Sequence, residues 1–279
     1  MSLASLEPLL AAARRGGDAL PSLNCFSAET ALAVVEAAEA QSSPVVVALA
    51  QGHFQNVRFR PFLKYLVALA EDSSVPVVVH LDHLRSLELV EEGLRAGATS
   101  IMYDGYGLDF AEKVAKTRKA ADAAHATGIV LESELGHIGR SRAGEETELV
   151  DVAGAAEFVS ATTIDVLAAA VGSTHGQLSQ SQELDLELLA RLADAVPSYL
   201  SLHGGSGIRS ADLAQAIAIG IVKVSIFTRL AESGAAANRE AAGDLATKNR
   251  AVRERYRREA EAAFVKLRSV GACAPQASD

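Results

Sequence analysis

Short apolar, β-branched runs alternate with longer segments of helical spacing along almost the whole chain. Eight runs read as strands: 19–26, 44–50, 76–82, 98–104, 128–134, 166–172, 199–204 and 221–227. Continuous Val, Ile and Leu mark strands buried on both faces, as in a parallel sheet. Between them, segments such as 28–40, 86–97 and 109–128 place apolar residues at helical spacing. Segment 210–220 reads as a helix opened by a Ser210 cap and closed at Gly220. Eight strand–helix units predict an α/β fold of the (β/α)8 TIM-barrel type, with a doubly wound open sheet as the main rival. The first 20 residues read as an N-terminal helix, and 230–266 as one or two surface helices packed on the barrel or on a partner. On this reading 1–279 is a single TIM-barrel domain with 230–270 as a C-terminal helical extension, and the residues from Gly271 onward are unstructured.

Composition narrows the classes. With 279 residues, 49% of them apolar, the chain can bury a sizeable core. A net charge of −9 with no basic block argues against nucleic acid as a partner. Glu7, Arg14 and Arg15 interrupt the N-terminal segment, which does not read as a signal peptide. No run approaches the ~18 apolar residues of a membrane span. Cys25 and Cys273 stand far apart and form no metal-like pair, so a reduced, cytoplasmic protein is expected.

The strand ends carry the chemistry. VVVHLDHLRS (77–86), LAAAVGSTHG (167–176) and YLSLHGGSGI (199–208) each run from apolar wall into histidine. In such a barrel the active site sits at the C-terminal ends of the strands. The strands then deliver Asn24, Asp82 and His83, Asp104, Glu132 and Glu134, His175, His203 and Ser225 to one mouth. Three histidines from three strands, with an open position, make the ligand set of a catalytic zinc, and Glu134 could exchange into the fourth place. His80, two residues before Asp82, alternates inward as a supporting group. His53 and His137 have weaker claims, and His125 reads as a surface residue. HGGSG (203–207) and KVSIFT (223–228) close strands 7 and 8, where barrels commonly bind phosphate, and Gly204 and Gly205 allow close backbone approach.

HLDH (80–83), ESELG (132–136), VGSTHG (171–176), LHGGSG (202–207) and KVSIFT (223–228), in this order, resemble the class II, zinc-dependent ketose-bisphosphate aldolases, the fructose- and tagatose-bisphosphate enzymes among them. The likeness runs from about residue 5 to 230. The resemblance implies a zinc ion, or another divalent metal, on His83, His175 and His203, with Glu134 as an accessory carboxylate. It implies Asp82 as the acid/base at the C4 hydroxyl of a cleaved ketose. It also implies Gly176, Gly205, Ser206 and Thr228 at the phosphate of a dihydroxyacetone-phosphate moiety, a monovalent cation near Gly176, and Asn24 as an active-site asparagine. A homodimer or homotetramer acting on a sugar phosphate follows from the same likeness.

The departures cluster at the substrate end. Where the family has Asn-x-Asp-Thr or Asn-x-Ala-Thr, this chain has Ser225, Ile226, Phe227 and Thr228. The family's Gly-Gly-x-Glu-Asp is replaced within HIGRSRAGEE, so that Arg140 and Arg142 occupy the second glycine and the ungapped glutamate, and Glu145 or Glu146 takes the proton-shuttle role. The usual Ser or Thr after strand 2 is Ala50 or Gln51. The expectation is an aldolase with a non-standard substrate, with Arg140 and Arg142 meeting a second anion on the aldehyde half. The rivals are a metal-dependent isomerase or hydrolase on a sugar phosphate, and a non-catalytic sugar-phosphate-binding protein.

Overall fold

The computed structural model describes residues 2–139, 147–176, 178 and 182–273. Eight strands close into a parallel barrel in chain order: β1 (Leu20–Asn24), β2 (Val45–Ala50), β3 (Val77–Leu84), β4 (Ser100–Tyr103), β5 (Val130–Leu135), β6 (Val166–Ala169), β7 (Tyr199–Leu202) and β8 (Ile221–Ile226). β8 returns to pair with β1 over Leu20↔Lys223 to Leu23↔Ile226. The barrel therefore replaces the open-sheet alternative, and every strand lies within the run that the β-branched pattern marks or overlaps it by most of its length.

A helix precedes the first strand, one follows each strand, and a further one ends the chain's described part: α1 (Leu6–Gly16), α2 (Ala28–Ala40), α3 (Phe59–Asp72), α4 (Leu87–Ala96), α5 (Phe110–His125), α6 (Val152–Thr162), α7 (Leu186–Ala195), α8 (Ser210–Ile219), α9 (Thr228–Glu240) and α10 (Leu245–Lys266). Six of them begin at a side-chain cap. Ser27, Ser86, Asp109, Asp151, Asp185 and Asp244 each accept a backbone N–H three residues on, which satisfies a donor the helix itself leaves unpaired. Two local expectations are corrected. Arg209, not Ser210, holds the cap position of α8, and no side chain closes that end. Gly271 and Cys273 are ordered, donating backbone hydrogen bonds to Gln41 and Ser42. The C-terminal helices do pack on the barrel: α10 lies against α2 and α9, and its Tyr256 hydroxyl donates to the Asn24 carbonyl at the end of β1.

The barrel interior is layered. At the bottom, Leu20, Val46, Val78, Val130, Val166 and Val222 form an apolar plug, which α1 seals with Leu6, Leu10 and Ala13. A wider apolar shell between strands and outer helices holds the remaining core. Above the plug the inward positions turn polar, and Ser100, His80, Glu132, Ser201 and Lys223 are all fully buried there. Among the described residues no helix is long and apolar enough to cross a membrane.

One close approach tests this packing. A Cβ on Gly93, in the buried face of α4, would lie 2.3 Å from Leu81 Cδ1 and 3.4 Å from Ile101 Cδ1. Gly93→Ala therefore overpacks the α4–β3 contact. The expected cost is about 1–3 kcal/mol, read as a fall in the urea midpoint; an unchanged or higher midpoint would contradict this packing.

Candidate metal centre and active site

The mouth of the barrel holds a cavity of about 590 Å³, with Asn24, Asp82, His83, His175, His203 and Ser225 on its floor and walls. Adjacent residues of a strand normally point to opposite faces, so Asp82 and His83 could not both reach this cavity from a regular β3. The register of β3 against β4 shifts between Leu81 and Leu84, and His83 takes a left-handed φ of 55°. The bulge turns the His83 ring back toward the mouth beside Asp82. A non-glycine residue in this backbone region carries strain, and such strain gathers at functional sites.

His83, His175 and His203, from the ends of β3, β6 and β7, bring one ring nitrogen each within 4.8 Å of one another. The backbone N–H of His175 donates to the Gly139 carbonyl at 2.8 Å, which fixes the chain where it enters the mouth. Carboxylates behind the other two rings decide which nitrogen faces inward. His83 Nδ1 lies 3.2 Å from Asp104 Oδ2, leaving Nε2 toward the centre. His203 Nε2 lies 3.0 Å from Glu132 Oε1, leaving Nδ1 toward the centre. These two inward nitrogens are 3.1 Å apart. Tetrahedral ligands at ~2.0–2.1 Å from zinc sit about 3.3–3.4 Å from each other, so the pair is already near ligand spacing. Carboxylate–histidine pairs of this kind fix ring orientation at metal sites. The donor set fits a divalent cation that favours imidazole, with zinc foremost.

The electrostatics point the same way. Burial opposes charge on His83, but Asp82, Asp104 and Glu134 outweigh it and lift its pKa to about 9. The His83 ring therefore stands in a field that favours positive charge. Asp82 is almost fully buried; burial alone would raise its pKa, yet His83 and His203 hold it well below the usual carboxylate range. Asn24 Nδ2 donates to Asp82 Oδ2 at 3.1 Å, while Asp82 Oδ1 is buried without a hydrogen-bond partner, 3.8 Å from His83 Nε2. Asp104 behaves alike: burial is outweighed by the hydrogen bond and charge of His83, and its pKa falls to about 2.

Beneath the triad lies a charged cluster closed to solvent. Lys223 Nζ pairs with Glu132 Oε2 at 2.7 Å, and Ser201 Oγ donates to Glu132 Oε1 at 2.6 Å. Burial disfavours the Glu132 charge, but Lys223 and His203 hold its pKa far below normal. His80 sits 3.8 Å from Glu132 and 3.9 Å from Asp82, with its Nδ1 2.8 Å from Ser100 Oγ. Burial, followed by the Lys223 charge, depresses the His80 pKa to about 4, so the ring is neutral at pH 7.

The remaining sequence candidates divide. Gly176, Gly204, Ser206, Ser225 and Thr228 line the cavity. Gly205 does not. Its N–H donates to the Ser225 carbonyl, and a Cβ there would meet Val224 Cγ1 at 2.6 Å, so this glycine packs the β7 loop onto β8. Glu134 is not in the histidine group; its Oε1 accepts the Ile138 N–H at 3.1 Å and burial raises its pKa. Arg140, Arg142, Glu145 and Glu146 lie outside the described residues. His125 is partly exposed, as expected, and pairs with Asp165 at 2.8 Å. Sequence reasoning gave no role to Glu132, Asp104 or Lys223. Period-two alternation from Glu134 and from Ser225 points Glu132 and Lys223 inward, and this was the available signal. It passed over Arg85, which lines the cavity together with Gln51, His53 and Phe227, residues the sequence offered only as departures or weaker claims.

A protein-family model described as fructose-bisphosphate aldolase class-II matches residues 4–272. The Escherichia coli K12 protein YdjI is 38% identical over 226 residues, 80% of this chain and 81% of that protein. The crystal structure of the YdjI aldolase from the same organism superposes with a TM-score of 0.88 at 33% identity, covering 97% of this chain and 99% of that one. A fructose-bisphosphate aldolase from Campylobacter jejuni superposes with a TM-score of 0.81 over 97% of both chains; at 21% identity that likeness bears on the fold.

Two outcomes test this geometry. Glu132→Gln removes the charge that orients His203, and zinc affinity in a chelator competition is expected to fall ~10–100-fold; unchanged affinity would break the link between Glu132 and the triad. His80 governs a pH effect. Its folded pKa of about 4 lies below the unfolded value, so the unfolded chain takes up the proton first as pH falls. Its contribution is complete above pH ~6.5 and is lost toward pH 4, up to about 3 kcal/mol. Urea unfolding of wild type and His80→Gln at pH 7.5 and pH 5 should show a shallower acid loss in the variant, and parallel losses would refute the assignment.

Proposed function

The chain belongs to the class II fructose-bisphosphate aldolase family, and from that premise we propose that it cleaves a ketose phosphate reversibly between C3 and C4, with a divalent metal, Zn2+ foremost, held by His83, His175 and His203. The coarser part of this, a carbon–carbon lyase acting on a small sugar phosphate, follows from family membership. The observation that carries the rest is the convergence of the three histidines around a buried, ionised Asp82.

The metal, when bound, supplies Lewis-acid stabilisation for the negative charge that develops as the carbon–carbon bond breaks. The side chains do the positioning and the proton transfers. Asp82 takes the proton from the C4 hydroxyl, whose C–O becomes the aldehyde carbonyl as the C3–C4 electron pair moves onto the ketone half. That half, an enediolate, is completed by a proton delivered to C3, the role proposed for Glu145 or Glu146. In condensation the same steps run backward, and Asp82 returns its proton to the new C4 oxygen. Asn24 keeps Asp82 aimed by its 3.1 Å hydrogen bond.

The phosphate of the ketone half, dihydroxyacetone phosphate or a related ketone, is proposed to sit against Gly176, Gly204, Ser206 and Thr228. Two features support that placement. Gly204 has a φ of 72°, and a Cβ there would meet the Thr174 carbonyl at 2.8 Å, so the loop requires glycine. α9 begins at Thr228 beside it, and helix N-termini attract anions. Ser206 also ties the two loops together, its Oγ accepting the Arg229 N–H at 3.1 Å. Ser225 replaces the family's substrate-contacting asparagine; its Oγ accepts from Lys223 Nζ at 3.2 Å, which draws this hydroxyl into the buried cluster.

The test is triose phosphate release from a panel of ketose phosphates by the zinc-loaded protein. Asp82→Asn is expected to lower kcat by ~10²–10⁴-fold while zinc content per chain stays at one. Zinc retention with no cleavage of any ketose phosphate by the wild type would move the site to isomerase or hydrolase chemistry; full activity in Asp82→Asn would remove Asp82 from the proton transfer.

A further inference from the structure

We propose that Arg85 is a specificity-determining residue for the aldehyde half, the cation of this cavity that meets an anionic far end of the ketose phosphate, a carboxylate or a phosphate. The proposal rests on the aldolase reading above and deepens it. Arg85 follows the β3 bulge directly, two residues after His83, and lines the cavity. Among the described lining residues it is the one lysine or arginine. In a closed eight-stranded barrel β3 stands diametrically opposite β7. A substrate whose phosphate lies on the β7 and β8 loops, and whose reacting carbons lie over the triad, therefore presents its other end to the β3–β4 side. Arg85 waits there.

Its surroundings hold the cation in place without consuming it. The Arg85 backbone N–H donates to Gln51 Oε1 at 2.9 Å, which ties the ends of β2 and β3 together. Its guanidinium carbon lies 5.4 Å from the Tyr106 ring centroid, and Tyr106 in turn packs at a tilt against His137, 4.5 Å between centroids. A guanidinium over an aromatic face is oriented and partly desolvated. Its described ion pair is a long one, 3.8 Å to Asp104, and Asp104 already serves His83 and the Tyr106 N–H. The side chain remains 43% exposed. The donors of a planar guanidinium thus remain for a bidentate oxyanion. On the β2 side His53 is stacked on Phe26 at 5.0 Å and packed on Phe227 at 4.9 Å, and burial lowers its pKa, so that wall offers no competing charge.

The experiment is condensation of dihydroxyacetone phosphate with three acceptors by zinc-loaded protein: glyceraldehyde, tartronate semialdehyde and glyceraldehyde 3-phosphate. These share a hydroxyaldehyde and differ in a neutral, carboxylate or phosphate end, so the two arms also show which anion is taken. Wild type is expected to prefer at least one acidic acceptor over glyceraldehyde in kcat/KM. Arg85→Met should lower that acidic-to-neutral ratio ~10–100-fold, and Arg85→Lys should retain part of it. A wild type without acidic preference, or a ratio in Arg85→Met equal to wild type, overturns the subsite while leaving the aldolase reading standing. An equal loss on all three acceptors assigns Arg85 to positioning of Asp104 and His83 and likewise overturns it. No condensation with any acceptor by the zinc-loaded wild type brings down the substrate reading and this proposal together.

Discussion

The ion pair between Lys223 and Glu132, closed off from water at the centre of the barrel, is the interaction on which the site is built. Two buried charges cost more in lost hydration than their mutual attraction readily returns, so such a pair is poor evidence of stability for its own sake. Its value here lies in order. Glu132 accepts from Ser201, pairs with Lys223 and holds His203, and it approaches His80, so one carboxylate joins β5 to β3, β7 and β8 across the interior. Lys223 keeps Glu132 ionised, and the Glu132 carboxylate holds His203 by its Nε2. That turns Nδ1 of His203 toward the mouth. The position of a proposed metal ligand is thus decided two layers below it, by a lysine that never reaches the cavity.

The layering explains how a barrel can carry so polar a centre. The valine plug and α1 close the bottom, where nothing polar must be satisfied. Each step upward exchanges apolar packing for paired groups, first the buried cluster and then the histidines. The mouth needs one irregularity to work. HLDH places the proposed acid/base and a proposed ligand in consecutive positions, which a regular strand would send to opposite faces. The β3 bulge and the left-handed His83 resolve this, and Asp104 repays part of the strain by bonding the displaced ring.

Much of this was legible from residues alone. β-branched runs mark all eight strands because a parallel barrel buries both faces, and the histidines announce themselves because chemistry in this fold gathers at strand ends. Local detail was less legible where it depends on neighbours. Gly205 looked like a phosphate contact because a glycine pair after strand 7 suggests one; Val224 and Ile226 show it to be a packing glycine. Lys223 in IVKVSI alternates inward with Ser225, but its partner Glu132 shows only once the barrel is closed. Glu134 looked like a ligand beside a less conspicuous Glu132, and only the opposition of β5 to β8 shows which of the two supports the triad.

Arg85 shows the same dependence on closure. In the sequence it is a charge at the start of a helix, and the search for a second cation fell on Arg140 and Arg142, where the family pattern breaks. Closure sets Arg85 across from the β7 loop. Position also separates what this chain can change from what it must keep. Lys223 is wholly buried, so altering it leaves Glu132 unpaired and disturbs His203. Arg85 is nearly half exposed, so its charge can be altered with little cost to the barrel. The departures at Ala50 or Gln51 and Phe227 line this same cavity, while the histidines and Asp82 keep the family's motifs. A mouth built this way lets the chemistry remain fixed in the interior as the rim selects what arrives.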